Sequence, residues 1–65
     1  MKSLRDYFNK RVRIIDIDNK EFKGYVETYT PAIDSEEEVE EISILDSSNY
    51  LIGFNENEIK SIEVI

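Results

Sequence analysis

Apolar residues near the start of the chain follow the spacing of a helix. Leu4, Tyr7 and Phe8 lie at positions i, i+3 and i+4, which places them on one helical face. Ser3 and Asp6 fit the Ser-x-x-acid pattern of a helix N-terminus. This spacing predicts a helix over about residues 3–9, too short to be stable unless it packs on another element.

From Val12 onward the apolar positions alternate as in β-strands. Val12 and Ile14 share one phase and Ile15 and Ile17 the other, which predicts either a bend or bulge or a strand that is covered on both faces. Turn residues separate the alternating runs, with Asp18-Asn19 as the first hairpin turn. The pattern predicts five strands, over about residues 11–18, 21–30, 39–46, 49–54 and 59–65.

The second predicted strand contains a glycine and ends at Pro31. Glycine inside a strand favours a sharp bend or a close approach of another backbone. Strict alternation predicts that Tyr25 and Tyr29 share one face, with Gly24 and Val26 on the other. Tyr50 is expected near the two tyrosines, where they form either an aromatic binding patch or a half-buried packing face.

The predicted fold is therefore all-β: a single domain over residues 1–65, a strongly bent five-stranded small barrel with a short N-terminal helix. A chain this short buries only about 60% of its unfolded surface. Cysteine and histidine are absent, so disulfides and the usual zinc ligands are unavailable, and association with other copies is the expected remedy. The apolar Val64 and Ile65 predict a covered edge at the last strand.

Charge disfavours binding to a phosphate backbone. Fifteen acidic and eight basic residues give a net charge of −7. Five of the cations lie within the first thirteen residues, and they form either a local basic patch or an ordinary solvated surface: Lys2, Arg5, Lys10, Arg11 and Arg13.

Catalytic and cofactor chemistry is not expected. The acidic segment 34–41 lacks the spacing and the turn glycine of a calcium loop, so a solvated loop is expected instead of a metal site. Asp16 and Asp18 have no nucleophile or oxyanion site beside them. A non-enzymatic protein without cofactors is therefore expected. No apolar run reaches bilayer length or resembles a secretion signal, so a cytoplasmic location is expected.

Two segments resemble the motifs of the Sm-like (LSm) family of small barrels. The first runs from Val12 through Asp18-Asn19 and the Gly24 strand to Asp34, and the second covers residues 54–59 with only its apolar ends matching. SH3-like and Tudor-like barrels have bent sheets of the same kind and remain open alternatives. The resemblance covers nearly the whole chain and implies a helix followed by five strands.

The resemblance also implies positions for a ligand pocket around the pore of a ring. These are Ala32, Asp34 and Asn55, with Thr30 in place of the first aspartate of the motif. Alanine cannot stack on a base, ionised aspartate only accepts hydrogen bonds, and asparagine has no charge. The family's usual RNA-binding mode is therefore not expected here.

Family rings close by pairing the fourth strand of one subunit with the fifth strand of the next. The resemblance therefore implies a homo-oligomeric ring with five residues at the subunit interface: Tyr50, Ile52, Phe54, Ile62 and Val64. Three functions are compatible with the sequence. They are a non-catalytic interaction module for a protein partner, an RNA-binding protein that uses another surface such as the N-terminal cations, and an acidic mimic of nucleic acid.

Overall fold

The computed structural model describes residues 3–34 and 38–65, and its architecture is all-β, as predicted. Lys2 of the predicted basic patch and residues 35–37 of the acidic segment lie outside the described residues. The strands are β1 (Arg11–Asp16), β2 (Glu21–Thr30), β3 (Glu41–Leu45), β4 (Leu51–Asn55) and β5 (Ile59–Val64). Each strand pairs antiparallel with its neighbours in the order β4-β3-β2-β1-β5.

One face of the curved sheet forms the core. The ring of Phe22 packs edge-on against Phe54, with centroids 5.1 Å apart, and Leu4 covers the core from the N-terminal segment. Alternate residues of β1, β2 and β3 supply the other fully buried side chains: Val12, Ile14, Val26, Ile42 and Ile44.

The predicted N-terminal helix over residues 3–9 is wrong: a single 3-10 turn, η1 (Leu4–Tyr7), is present instead. Ser3 caps it by accepting a hydrogen bond from the Arg5 N–H (3.3 Å). The chain then becomes extended at Phe8, and Asn9 adopts a left-handed φ of 63°, which ends the helical run. No helix in the described part of the chain is long and apolar enough to cross a membrane.

Two bulges set the direction of side chains in the long strands. The β1–β5 register shifts between Ile15 and Asp16, and the extra residue, Lys60, lies in β5. The β2–β3 register shifts between Val26 and Thr28, so the single inserted residue reverses the alternation. The prediction that Tyr25 and Tyr29 share a face is therefore wrong, since Tyr29 pairs with Ile42 and packs on the core.

Two hairpin turns are built in the same way. In the first, the Asp16 carboxylate accepts hydrogen bonds from the N–H groups of Asp18 and Lys20, both at 2.9 Å. Asn19 takes a φ of 65°, which asparagine adopts more readily than most residues. In the second turn Asp46 makes the corresponding bonds, again at 2.9 Å, and Asn49 has the same φ of 65°.

Gly24 allows β2 to approach β3 closely. A Cβ atom at this position would lie 2.7 Å from the carbonyl oxygen of Leu45, which is backbone and has little freedom to move. The sequence-based expectation of a close backbone approach is therefore confirmed. Gly53 in β4 differs, because a Cβ there would meet only the Ser43 hydroxyl at 3.9 Å.

We predict that Gly24→Ala lowers the free energy of unfolding by about 1–3 kcal/mol, because the added methyl group forces β2 and β3 apart. Gly53→Ala is the matched control and should change stability by less than about 0.5 kcal/mol. Urea unfolding of both variants measures the difference. Equal stabilities of the two variants would show that the β2–β3 contact is looser than described.

Candidate functional site

The positions implied by the Sm-like resemblance lie together at one end of the sheet. Thr30 on β2 pairs with Glu41 on β3, and Glu41 pairs with Asn55 on β4, so the three form a row across neighbouring strands. A short 3-10 turn, η2 (Ala32–Asp34), follows β2, with Ala32 half-buried and Asp34 exposed. A carboxylate at the centre of this row would repel a phosphate group.

Asn55 has a structural role that the resemblance did not indicate. It caps the 3-10 turn η3 (Glu56–Glu58), where its side-chain oxygen accepts hydrogen bonds from the N–H groups of Asn57 (2.9 Å) and Glu58 (3.1 Å). The Glu58 carboxylate accepts one in return from the Asn55 N–H (3.0 Å). This reciprocal capping box is visible in the sequence as Asn55-x-x-Glu58, a signal that the family comparison obscured.

Glu40 joins three parts of the chain at this end of the sheet. Its carboxylate accepts hydrogen bonds from the Ser3 hydroxyl (2.6 Å), the Leu4 N–H (3.2 Å) and the Tyr29 hydroxyl. Its own N–H donates to the Glu56 carboxylate (3.0 Å). Sequence reasoning missed this role, because nothing local distinguishes Glu40 from the other glutamates of the acidic segment.

The hydrogen bonds at Glu40 shift the pKa values of Glu40 and Tyr29. The hydrogen bonds from Ser3 and then Tyr29 stabilise the carboxylate, so the pKa of Glu40 is lowered. The same carboxylate, followed by burial, raises the pKa of the Tyr29 hydroxyl. Both shifts favour the pair observed, in which a charged Glu40 holds the N-terminal segment against β2.

The outer edge of β4 has no partner strand within residues 3–34 and 38–65. Hydrogen-bonded pairs alternate with non-bonded pairs along an antiparallel ladder. Two bonded pairs flank the β3–β4 ladder at its two ends: Glu40 with Glu56, and Asp46 with Tyr50. The N–H and C=O groups of Leu51, Gly53 and Asn55 therefore face away from β3.

The outer edge of β5 is also unpaired within the described chain. The Ile65 N–H donates to the Arg11 carbonyl oxygen (3.0 Å), which makes this a bonded pair of the β1–β5 ladder. By alternation, the backbone groups of Ile62 and Val64 face away from β1.

Apolar side chains stand on both edges, where solvent reaches them. Tyr50 is 70% and Leu51 56% exposed beside β4, and Val64 is 53% and Ile65 55% exposed at the end of β5. Among the predicted interface residues, Tyr50 and Val64 are thus accessible, and Ile52 and Ile62 are half-buried against the core. The Phe54 side chain is buried in the core of the single chain.

A separate basic region lies on the outer face of β1 and β2. Arg11 pairs across the strands with Tyr25, whose hydroxyl donates to the Asn9 side chain (2.7 Å), and Arg13 pairs with Lys23. Arg13 forms ion pairs with Glu21 and Glu63, and the hydrogen bond from Arg13 lowers the pKa of Glu21. Within residues 3–34 and 38–65, no hydrogen bond or ion pair engages the side chain of Arg11 or Lys23.

The described residues enclose no pocket. Within the same ranges, no group of three or more His, Cys, Asp or Glu side chains is arranged to hold a metal ion. The candidate surfaces are therefore the strand edges, the acidic end of the sheet and the basic outer face.

Comparison with known proteins adds no relative to this description: no protein-family model, no curated protein and no solved structure matches the chain.

We predict that Glu40→Gln makes the free energy of unfolding less dependent on pH in the acidic range. Because the folded-state pKa of Glu40 is lowered, its contribution is present above the unfolded value of about 4.3 and is lost as pH falls through the folded value. At neutral pH the variant should be less stable by about 1 kcal/mol, and it should lose less stability than the wild type down to about pH 3.

Glu27→Gln is the control, because Glu27 is exposed at the β2 bulge. Urea unfolding across this pH range compares the three proteins. If Glu40→Gln and Glu27→Gln follow the same pH curve, the Glu40 contacts do not contribute as described.

Proposed function

We propose that the chain is a non-catalytic, Sm-like interaction module that assembles with copies of itself through the free edges of β4 and β5. The observation that carries this proposal is that, among residues 3–34 and 38–65, the outer edges of β4 and β5 have no partner strand and carry exposed apolar residues. Tyr50 and Leu51 mark one edge, and Val64 and Ile65 mark the other.

Edge energetics supports association between these two edges. An exposed apolar strand edge with free N–H and C=O groups is prone to pair with another chain, and proteins usually protect it with charge, proline or a covering element. Neither edge contains proline, and Lys60 and Glu63 are the charged residues within β5. Pairing β4 of one copy with β5 of another uses two different surfaces and therefore builds a ring when the rotation closes.

A protein ligand fits the acidic end of the sheet better than a nucleic acid does. Glu41 and Glu56 lie beside the positions that the resemblance assigns to the ring pocket. One of those positions is the acidic Asp34, and another, Ala32, offers no aromatic face. A basic segment of a partner protein has the complementary charge. In this proposal the acidic segment 34–41 acts as a docking element of the assembled module.

We predict that light scattering of the purified chain gives a mass that is a multiple of 7.7 kDa. Leu51→Lys and Val64→Lys should each shift the mass toward the monomer, because a charge at the centre of a paired edge opposes association. Ile33→Lys is the matched control, since Ile33 is 89% exposed but lies on η2, outside β4 and β5.

A wild-type chain that remains monomeric at micromolar concentrations contradicts this proposal. So does an equal loss of mass in Ile33→Lys, because the association would then depend on general surface hydrophobicity instead of the edges.

A second candidate function is binding of single-stranded RNA on the outer face of β1 and β2. Its support is the position of Arg11 directly opposite the half-buried Tyr25, with Lys23 beside them and Lys10 next in the chain. Cations release counterions from the phosphate backbone, and an aromatic ring can stack on a base. The net charge of −7 makes this candidate weaker than the first.

We predict for this candidate that Arg11→Gln weakens binding of a fluorescent oligouridine at low salt and reduces the salt dependence by about one phosphate contact. Lys60→Gln is the control, because the Lys60 ammonium donates to Asn19 (2.7 Å) outside this face. Absence of any anisotropy change with the wild type at low salt removes the RNA candidate and leaves the first proposal intact.

A further inference from the structure

We propose that the copies join in one register only, with Leu51 opposite Val64 of the next copy and Gly53 opposite Ile62 of the next copy. Glu58 sets this register as a positioning residue, because it closes the β4 edge at Asn55. The inference rests on the edge pairing proposed above and specifies which residues of the second copy it places together.

Two positions are available on the β4 edge. Asn55 faces the same edge as Leu51 and Gly53, but its N–H already donates to the Glu58 carboxylate (3.0 Å). The Asn55 side chain is fixed in the same capping box by the N–H groups of residues 57 and 58. The N–H groups of Leu51 and Gly53 are therefore available to a neighbouring strand, whereas the N–H group of Asn55 is already bonded to Glu58.

Two positions are available on the β5 edge as well. Ile15 pairs with Ser61, but the next residue, Asp16, pairs with Ile59, so Lys60 falls in the bulge between them. A bulged residue is out of step with the regular ladder and does not offer a standard pairing position. Ile62 and Val64 remain as the regular positions that face the edge.

Only one antiparallel register uses both positions on both edges. A shift by two residues in one direction places Gly53 opposite Val64 and leaves Ile62 opposite the closed Asn55. A shift in the other direction places Leu51 opposite Ile62 and leaves Gly53 opposite the bulged Lys60. Each shifted register therefore loses at least one hydrogen bond of the two bonded pairs.

The side chains favour the same register. Opposed residues of an antiparallel pair lie on the same face, so the exposed Leu51 and Val64 contact each other across the junction. In the adjacent non-bonded pair, Tyr50 lies opposite Ile65, and these side chains are 70% and 55% exposed in the single chain. The register thus covers the exposed apolar residues of both edges together.

Disulfide cross-linking tests the register directly, because the chain contains no cysteine. Three double variants report on the three registers. Tyr50→Cys with Ile65→Cys reports on the proposed register. Ile52→Cys with Ile65→Cys reports on the register with Gly53 opposite Val64, and Tyr50→Cys with Glu63→Cys reports on the register with Leu51 opposite Ile62. A two-residue shift of register moves the two cysteines apart along the strands by about 6.6 Å, which is too far for a disulfide. Under mild oxidation the first variant should give at least about 10-fold more cross-linked chain, as a ladder of multimers.

Substitution of Glu58 tests its positioning role. Glu58→Ala frees the Asn55 N–H, so the register with Gly53 opposite Val64 gains a second bonded pair. Cross-linking of the Ile52→Cys, Ile65→Cys variant should then rise to a yield comparable with that of the first variant. Glu58→Gln keeps an oxygen acceptor and should restore the single register, whereas a general loss of structure would lower all yields together.

The outcomes separate this inference from the proposed function. A monomeric mass for the wild type overturns both. Assembly with preferential cross-linking of either shifted variant, or equal cross-linking of all three, overturns the register and leaves the assembly standing. A dimer formed by the single variant Tyr50→Cys alone indicates symmetric β4–β4 pairing and also overturns it. An unchanged pattern in Glu58→Ala overturns the role of Glu58.

Discussion

The backbone groups that face outward along β4 and β5 are the constraint on which the rest of this account depends. In the described part of the chain, a curved sheet in the order β4-β3-β2-β1-β5 pairs its three inner strands on both sides and leaves one side of each outer strand without a partner strand. A 65-residue chain without disulfides has little surplus stability to leave two apolar edges in water. In the proposed assembly, pairing those edges with sister chains would both extend the ladder and cover Leu51 and Val64.

The features inside the sheet determine where those edges lie. Gly24 brings the backbone of β2 against that of β3, and the bulges at Ile15/Asp16 and Val26/Thr28 change the strand direction locally. Glu40 then fastens the N-terminal turn to the end of the sheet through hydrogen bonds to Ser3, Leu4 and Tyr29. Local backbone chemistry thus shapes the surface that a second copy would contact.

Much of the fold could be predicted from the sequence, because strand alternation and turn chemistry are local. Asp18-Asn19 indicated a hairpin turn, and Gly24 indicated a close approach of two strands. The helix prediction failed because one turn of 3-10 helix also places Leu4 and Tyr7 on one side. The bulge at Glu27 had no local signal, since polar and aromatic residues surround it. The role of Glu40 depends on Ser3 and Leu4, which lie 37 and 36 positions earlier in the chain. Only the tertiary structure brings these residues together.

Amide hydrogen exchange tests the central claim most directly, because it reports each edge N–H separately. The account predicts that the Gly53 and Val64 amides are protected at high protein concentration and lose that protection on dilution, as the edges separate. The Asn55 amide serves as an internal reference, since Glu58 binds it within the same chain at any concentration. Fast exchange at Gly53 and Val64 at every concentration, with Asn55 still protected, would contradict the claim that these edges pair with a sister chain.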